Sequence, residues 1–266
     1  MVVAYDADRD RHSLDRLNVL AELRLGIPRG ELEVHYQPQC DCDTGALVGL
    51  EALVRWRHPL RGLLYPDAFI PAVETTSVVT ALATAVLDAA LGQLAWWRAE
   101  GIDVTLAVNV SARQMTDPEL PGTVATLLAE YAISPRLLTL EVTESSMMAD
   151  RGRTSAVLVG LASVGVGLSI DDFGAGYSSL AYLSRLGADE LKIDRSFVMG
   201  MSTNPDDAVI VRSIIDLGHS LGMRVVAEEV ETATVWDTLT ELHCDLGQGL
   251  SDGPADAGRA GASLAG

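Results

Sequence analysis

Two adjacent aspartates, Asp171 and Asp172, follow the apolar run Leu168-Ser-Ile170 and precede Phe173-Gly-Ala-Gly176, so a pair of carboxylates meets a glycine-bracketed turn. Successive strand side chains point to opposite faces, so both carboxylates serve one site only where the strand ends at Ile170 and the chain turns outward. Alone, such a pair reads more readily as a solvated turn than as a site. The same position in six other strand-like segments is also polar: Glu51 with Arg55, Asn109, Glu141, Lys192 with Asp194, Glu228, and Gln248. Carboxylates gathered around one mouth repel each other and take up protons unless cations hold them ionised. Oxygen ligands without histidine or cysteine favour Mg²⁺ or Mn²⁺ over Zn²⁺. Asp171 and Asp172 suit two ions roughly 3.5 to 4 Å apart, the arrangement used for in-line displacement at phosphorus. Arg55 can neutralise a phosphate oxygen, and Lys192 can hold or deprotonate the attacking water.

Strands must deliver these side chains to one place. Apolar or alternating segments at 33–37, 45–56, 104–109, 138–144, 167–170, 190–194, 223–228 and 244–248 read as strands. Glu51, Leu53 and Arg55 share one face of the second segment, where the plainer reading of the two charges is an internal salt bridge. Between the segments, apolar residues recur at helical spacing, as in Val79, Leu82, Val86, Ala90, Leu94 and Trp97. About eight strands alternating with helices predict an α/β fold, a closed (β/α)8 barrel with its active site at the C-terminal strand ends. A doubly wound open sheet is the alternative.

With 266 residues, 48% of them hydrophobic, the chain can bury one large core. A formal net charge of −18, from 37 acidic and 19 basic side chains, argues against contact with nucleic acid or an anionic membrane surface. Cys40, Cys42 and Cys244 make neither a disulfide framework nor a structural zinc site, and reduced thiols in a cytoplasmic setting are expected. Gly174-Ala-Gly176 lacks the Lys-Ser/Thr of a phosphate-binding loop. His58 and His219 read as packing and helix-surface residues.

Seven motifs, Glu51-Ala-Leu53, Asn109-Val-Ser111, Glu141-Val-Thr-Glu144, Asp171-Asp-Phe-Gly-Ala-Gly-Tyr-Ser-Ser179, Lys192-Ile-Asp194, Ala227-Glu228 with Val230-Glu231, and Gln248-Gly249, resemble in order and spacing the signatures of EAL domains. The resemblance runs from about Tyr36-Gln-Pro38 to Gly249. It implies a TIM-like barrel with one antiparallel strand and Mg²⁺- or Mn²⁺-dependent hydrolysis of cyclic di-GMP to linear pGpG. By resemblance, Glu51, Asn109, Glu141 and Asp171 hold one of two ions, and Asp171, Asp172 and Glu228 the other. Lys192 contacts the catalytic water and Gln248 helps position it, with Glu51 and Glu228 also counted in the catalytic set. Gln37, the Leu53 backbone, Arg55 and Asp194 contact substrate, while Glu144 and Glu231 support the site. The loop from Phe173 to Ser179 links metal binding to a homodimer interface.

Residues 1–28 are expected to form a connector helix outside the core, 29–250 the barrel and 251–266 a disordered tail. Tyr5-Asp-Ala-Asp-Arg-Asp-Arg-His12 resembles the connector that follows a GGDEF cyclase domain, which implies upstream cyclase or sensor domains. Three positions depart from the family pattern: Glu229 replaces a usual glycine, Leu250 replaces a usual aromatic, and Ser251 to Gly266 lacks the periodicity of a last barrel helix. Glu229 is expected to point outward as a helix N-terminal acid. The departures keep open an alternative in which the domain binds cyclic di-GMP without cutting it. A two-metal enzyme for another phosphodiester is a third reading.

Overall fold

The computed structural model describes residues 7–148, 151–174, 183 and 186–249. The expectations for Ala175–Ser179, Leu250 and the 251–266 tail lie outside them. Nine strands are found among the described residues: β1 (Leu32–Asp41), β2 (Leu47–His58), β3 (Gly62–Leu64), β4 (Thr105–Asn109), β5 (Leu138–Thr143), β6 (Gly167–Phe173), β7 (Glu190–Ile193), β8 (Arg224–Ala227) and β9 (Leu246–Gln248). The order β1-β9-β8-β7-β6-β5-β4-β2 is closed by pairing of β1 with β2, and β3 hangs on the outside of β2. β1 runs antiparallel to both its barrel neighbours. The remaining barrel pairs are parallel. The closed barrel with one antiparallel strand is therefore what forms, and the open sheet is not.

Nine helices accompany the strands among the described residues: α1 (Ala7–Gly26), α2 (Ile70–Val73), α3 (Val78–Ala99), α4 (Leu120–Glu130), α5 (Glu144–Met148), α6 (Arg151–Val164), α7 (Arg195–Gly200), α8 (Pro205–Ser220) and α9 (Ala233–Glu241). α3 shows why they dock. Its 3.6-residue periodicity places Leu82, Val86, Ala90, Leu94 and Trp97 on one stripe, and all five are buried in the core. Burying each of the larger side chains contributes about 1.5 to 3 kcal/mol. α3 is also long and apolar enough to cross a membrane by length and composition, but its stripe packs as that of a core helix does.

The expectation that the first helix lies outside the core fails for the C-terminal half of α1. Val19 and Leu23 are buried within the core cluster. Glu22 anchors the same turn, with His58 Nε2 at 3.2 Å and Arg61 Nη2 at 3.1 Å. His58 is otherwise a packing residue, edge-on to Trp56 at 4.7 Å, and its Nδ1 accepts the backbone N–H groups of Leu60 and Arg61.

Candidate active site

Residues paired in register on neighbouring strands present their side chains on the same face. Gln37 pairs with Glu51, and Asn109 with Glu141, which puts all four inside the barrel. Glu51 lies in the middle of β2, not at its end. β2 pairs with β4 only from Gly49 to Ala52 and then continues outward beside β1 and β3. Glu51 thus marks the end of the part of β2 that belongs to the barrel, level with the mouth.

Lys192 forms the centre of the mouth. On β7 it faces inward while Leu191 and Ile193 are buried on the opposite, helix-facing side, and its side chain is fully buried. Its Nζ lies 2.7 Å from Glu228 Oε1, 2.9 Å from Glu141 Oε2, 3.1 Å from Glu51 Oε2 and 3.5 Å from Asp171 Oδ1. Glu51 also accepts a hydrogen bond from Asn109 Nδ2 at 2.7 Å.

Asp171 and Asp172 reach this mouth by a different route from the expected strand end. β6 continues to Phe173, and its register to β7 slips between Ile170 and Phe173, a β-bulge. Asp172 takes φ +55°, the left-handed region that aspartate tolerates better than most residues. A bulge re-aims side chains that would otherwise alternate. As a result Asp171, Asp172 and Glu228 each bring a carboxylate oxygen within 4.8 Å of the other two.

A chain of amides closes the opposite side. The antiparallel β1 sets Gln39 against Gln248 and Gln37 against Glu51. Gln39 Nε2 donates to Gln248 Oε1 at 3.1 Å, and Gln248 Nε2 donates to Gln37 Oε1 at 3.2 Å and to Glu51 Oε2. Gly249, at φ +134°, lets this end of β9 lie against the Glu229–Val230 backbone, because a Cβ there would stand 2.6 Å from Val230 N. Gln39 was not anticipated as a site residue. Its alternation with Gln37 along β1 is the signal that could have found it.

The remaining expected residues divide. Leu53 lines a cavity of about 310 Å³ beside Asn109, walled mainly by apolar side chains including Val54, Ile70, Val79 and Val86. Arg55 does not pair with Glu51: its Nη1 donates to the Val54 carbonyl at 2.9 Å and its guanidinium lies 4.8 Å from the Tyr65 ring centroid. Asp194 caps α7, accepting from Ser196 N at 2.8 Å. Glu144 is buried at the start of α5, and its Oε2 has no hydrogen-bond partner. Glu231 is exposed on the loop after β8 and is not among the side chains gathered around Lys192. Glu229 turns outward as expected, but on a loop and not at a helix start, where it meets Arg195.

Four carboxylates, Glu51, Glu141, Asp171 and Glu228, surround one ammonium, with Asp172 a fifth beside Asp171 and Glu228, and their proton affinities record the imbalance. Burial alone would raise the Glu51 carboxyl, but the Lys192 charge and hydrogen bonds from Gln248, Lys192 and Asn109 hold it below the ordinary range. Glu141 is pushed well above that range, by burial first and then by the Glu51 and Asp171 charges against the pull of Lys192. Burial raises Glu228 to about 7, with Lys192 opposing and Asp171 adding to the rise. Asp172 is raised by burial and by Asp171 and Asp194. Burial opposes the Lys192 ammonium, yet Glu141, Glu51, Asp171 and Glu228 together lift it well above its usual value. Glu141 Oε1 is buried without a partner. Surplus carboxylate charge, an orphaned carboxylate oxygen and an all-oxygen donor set fit hard divalent cations.

The family model described as "EAL domain" matches residues 20–251. The chain is 41% identical over 247 residues to the bifunctional diguanylate cyclase/cyclic di-GMP phosphodiesterase MucR of Pseudomonas aeruginosa, covering 92% of this chain and 36% of that protein. It is 39% identical over 246 residues to the cyclic di-GMP phosphodiesterase PA2567 of the same organism, covering 92% and 42%. The MucR phosphodiesterase solved in complex with c-di-GMP superposes with a TM-score of 0.83 at 43% identity, over 87% of this chain and 94% of that one. The chain thus spans well under half the length of these two curated relatives.

Proposed function

Because the chain belongs to the EAL domain family, we propose that it hydrolyses cyclic di-GMP to linear pGpG, ending a bacterial second-messenger signal. The observation that carries this reading is the convergence of Glu51, Glu141, Asp171 and Glu228 on Lys192 Nζ, within 2.7 to 3.5 Å, at the mouth of the barrel. Water attacks one phosphorus, the P–O3′ ester breaks, and the freed 3′ oxygen takes the proton, which leaves a linear dinucleotide with a 5′-phosphate.

In this reading Glu51, Asn109, Glu141 and Asp171 would hold one Mg²⁺ or Mn²⁺, and Asp171, Asp172 and Glu228 a second. Such ions supply charge neutralisation at the phosphate and a more acidic water. Lys192 orients the attacking water. Gln248 holds Glu51 and Gln37 in register, so that the carboxylate and the substrate-facing amide keep one spacing. Gln37, Leu53, Arg55 and Asp194 contact the dinucleotide, and the apolar cavity beside Leu53 takes part of it out of water.

The relatives' greater length supports a chain that works as one module of a longer regulator with cyclase or sensor domains upstream; a cytoplasmic setting and pairing with a second copy are proposed from the family resemblance alone. The receptor reading rested on the C-terminal segment after Gly249, which lies outside the described residues, and on Glu229. The Glu229 carboxylate pairs with Arg195 instead of the ligand cluster, so turnover is the reading the geometry favours. Calorimetric titration with cyclic di-GMP, run beside chromatography of the products, separates the two. Tight binding in Mg²⁺ with no product would establish the receptor.

A further inference from the structure

Tyr65 follows the strand β3 and carries an exposed ring, 59% of its surface open, at the lip of the apolar cavity that Pro66, Leu53 and Val54 help to line. Across the lip stands Arg55, on the same face of β2 as Glu51 and Leu53. The β2–β3 hairpin, in register at Trp56 and Leu64, fixes the two side chains opposite each other. The guanidinium lies over the Tyr65 ring at 4.8 Å. Its Nη1 is tied to the Val54 carbonyl at 2.9 Å, and its Nε is buried without a hydrogen-bond partner. A long flexible side chain is therefore held in place by one carbonyl and one π face.

A guanidinium gives an acceptor on a ligand a charge-assisted hydrogen bond. A planar guanidinium fixed before binding loses less rotamer entropy when it meets that acceptor. We propose that Tyr65 is a positioning residue that preorganises Arg55 to bind an acceptor atom of the cyclic dinucleotide at the cavity lip. The inference rests on the functional reading above. Tyr65 acts on binding and not on bond cleavage, because it lies outside the Lys192 cluster.

The test is the affinity of the purified chain for cyclic di-GMP in Ca²⁺, an oxygen-seeking ion chosen to slow turnover, together with KM and kcat in Mg²⁺. Tyr65→Phe keeps the π face and should bind as the wild type does. Tyr65→Leu, which keeps apolar bulk, and Tyr65→Ala should each bind about threefold to tenfold more weakly, the range expected of a cation–π contact. KM should rise to match while kcat is unchanged. In the Arg55→Ala background, Tyr65→Leu should cost nothing further, because its effect passes through Arg55. Wild-type binding with undiminished Tyr65→Leu affinity, or losses that add in the double variant, overturns the inference alone. Absence of wild-type binding overturns the functional reading and this inference with it.

Discussion

The Glu229 carboxylate lies 3.0 Å from Arg195 Nη1 and pairs with that guanidinium, while Glu228 pairs with Lys192. Adjacent residues at a strand exit diverge, and Glu228 takes the inward direction at 2.7 Å from Lys192. Glu229 does this with φ +46°, a left-handed conformation that glycine adopts without cost. Glu229→Gly should therefore relieve about 1 kcal/mol of backbone strain and forfeit an exposed ion pair worth about 0 to 1 kcal/mol. The thermal midpoint should hold or rise slightly, and the Mg²⁺ concentration for half activity should stay within about twofold. A several-fold shift in that concentration would show that Glu229 acts on the metal site.

Asp171 touches Lys192 and belongs to the trio with Asp172 and Glu228. Asp171→Ala removes an oxygen assigned to both ions and should lower turnover by about 10²-fold or more while circular dichroism is unchanged. Retention of most activity would disprove the shared role.

Lys192 is the cation at the centre of a buried carboxylate cluster. Lys192→Met leaves Glu51 and Glu141 without their counter-charge, which should cost about 3 to 5 kcal/mol in urea unfolding with chelator present. Mg²⁺ or Mn²⁺ should restore part of the loss, since the same oxygens would bind it. Equal stability of variant and wild type in chelator would refute this account of the cluster.

Gln39 holds the Gln248 amide by a buried hydrogen bond. Gln39→Met should leave Gln248 Oε1 unpaired at a cost of about 1 to 3 kcal/mol, with kcat falling more than KM changes. An unchanged unfolding midpoint would argue that Gln248 needs no such support.

Where side chains obey a simple period, the fold was legible. Alternation along 190–194 put Lys192 opposite Leu191 and Ile193, and β7 has that arrangement. The eight barrel strands and most of the polar residues at their mouth follow from the same rule. The bulge at Asp172 was not legible, because aspartate only tolerates the left-handed region and the register slip against β7 that accompanies it has no local period to announce it. Nor was the Gln39–Gln248 contact, which joins residues 209 positions apart through an antiparallel strand that only family resemblance suggested. β3 is three residues long and carries no periodic signal, yet it places Tyr65 over Arg55. In α1 the polar residues around Val19 and Leu23 masked a face that the core buries.

Hydrolysis of the cyclic dinucleotide can be observed directly. The purified chain, incubated with cyclic di-GMP and either Mg²⁺ or Mn²⁺, should yield pGpG as the first product by chromatography and mass spectrometry, and chelator should stop it. No product after prolonged incubation at high enzyme concentration, from protein whose circular dichroism shows an intact fold, would contradict the account.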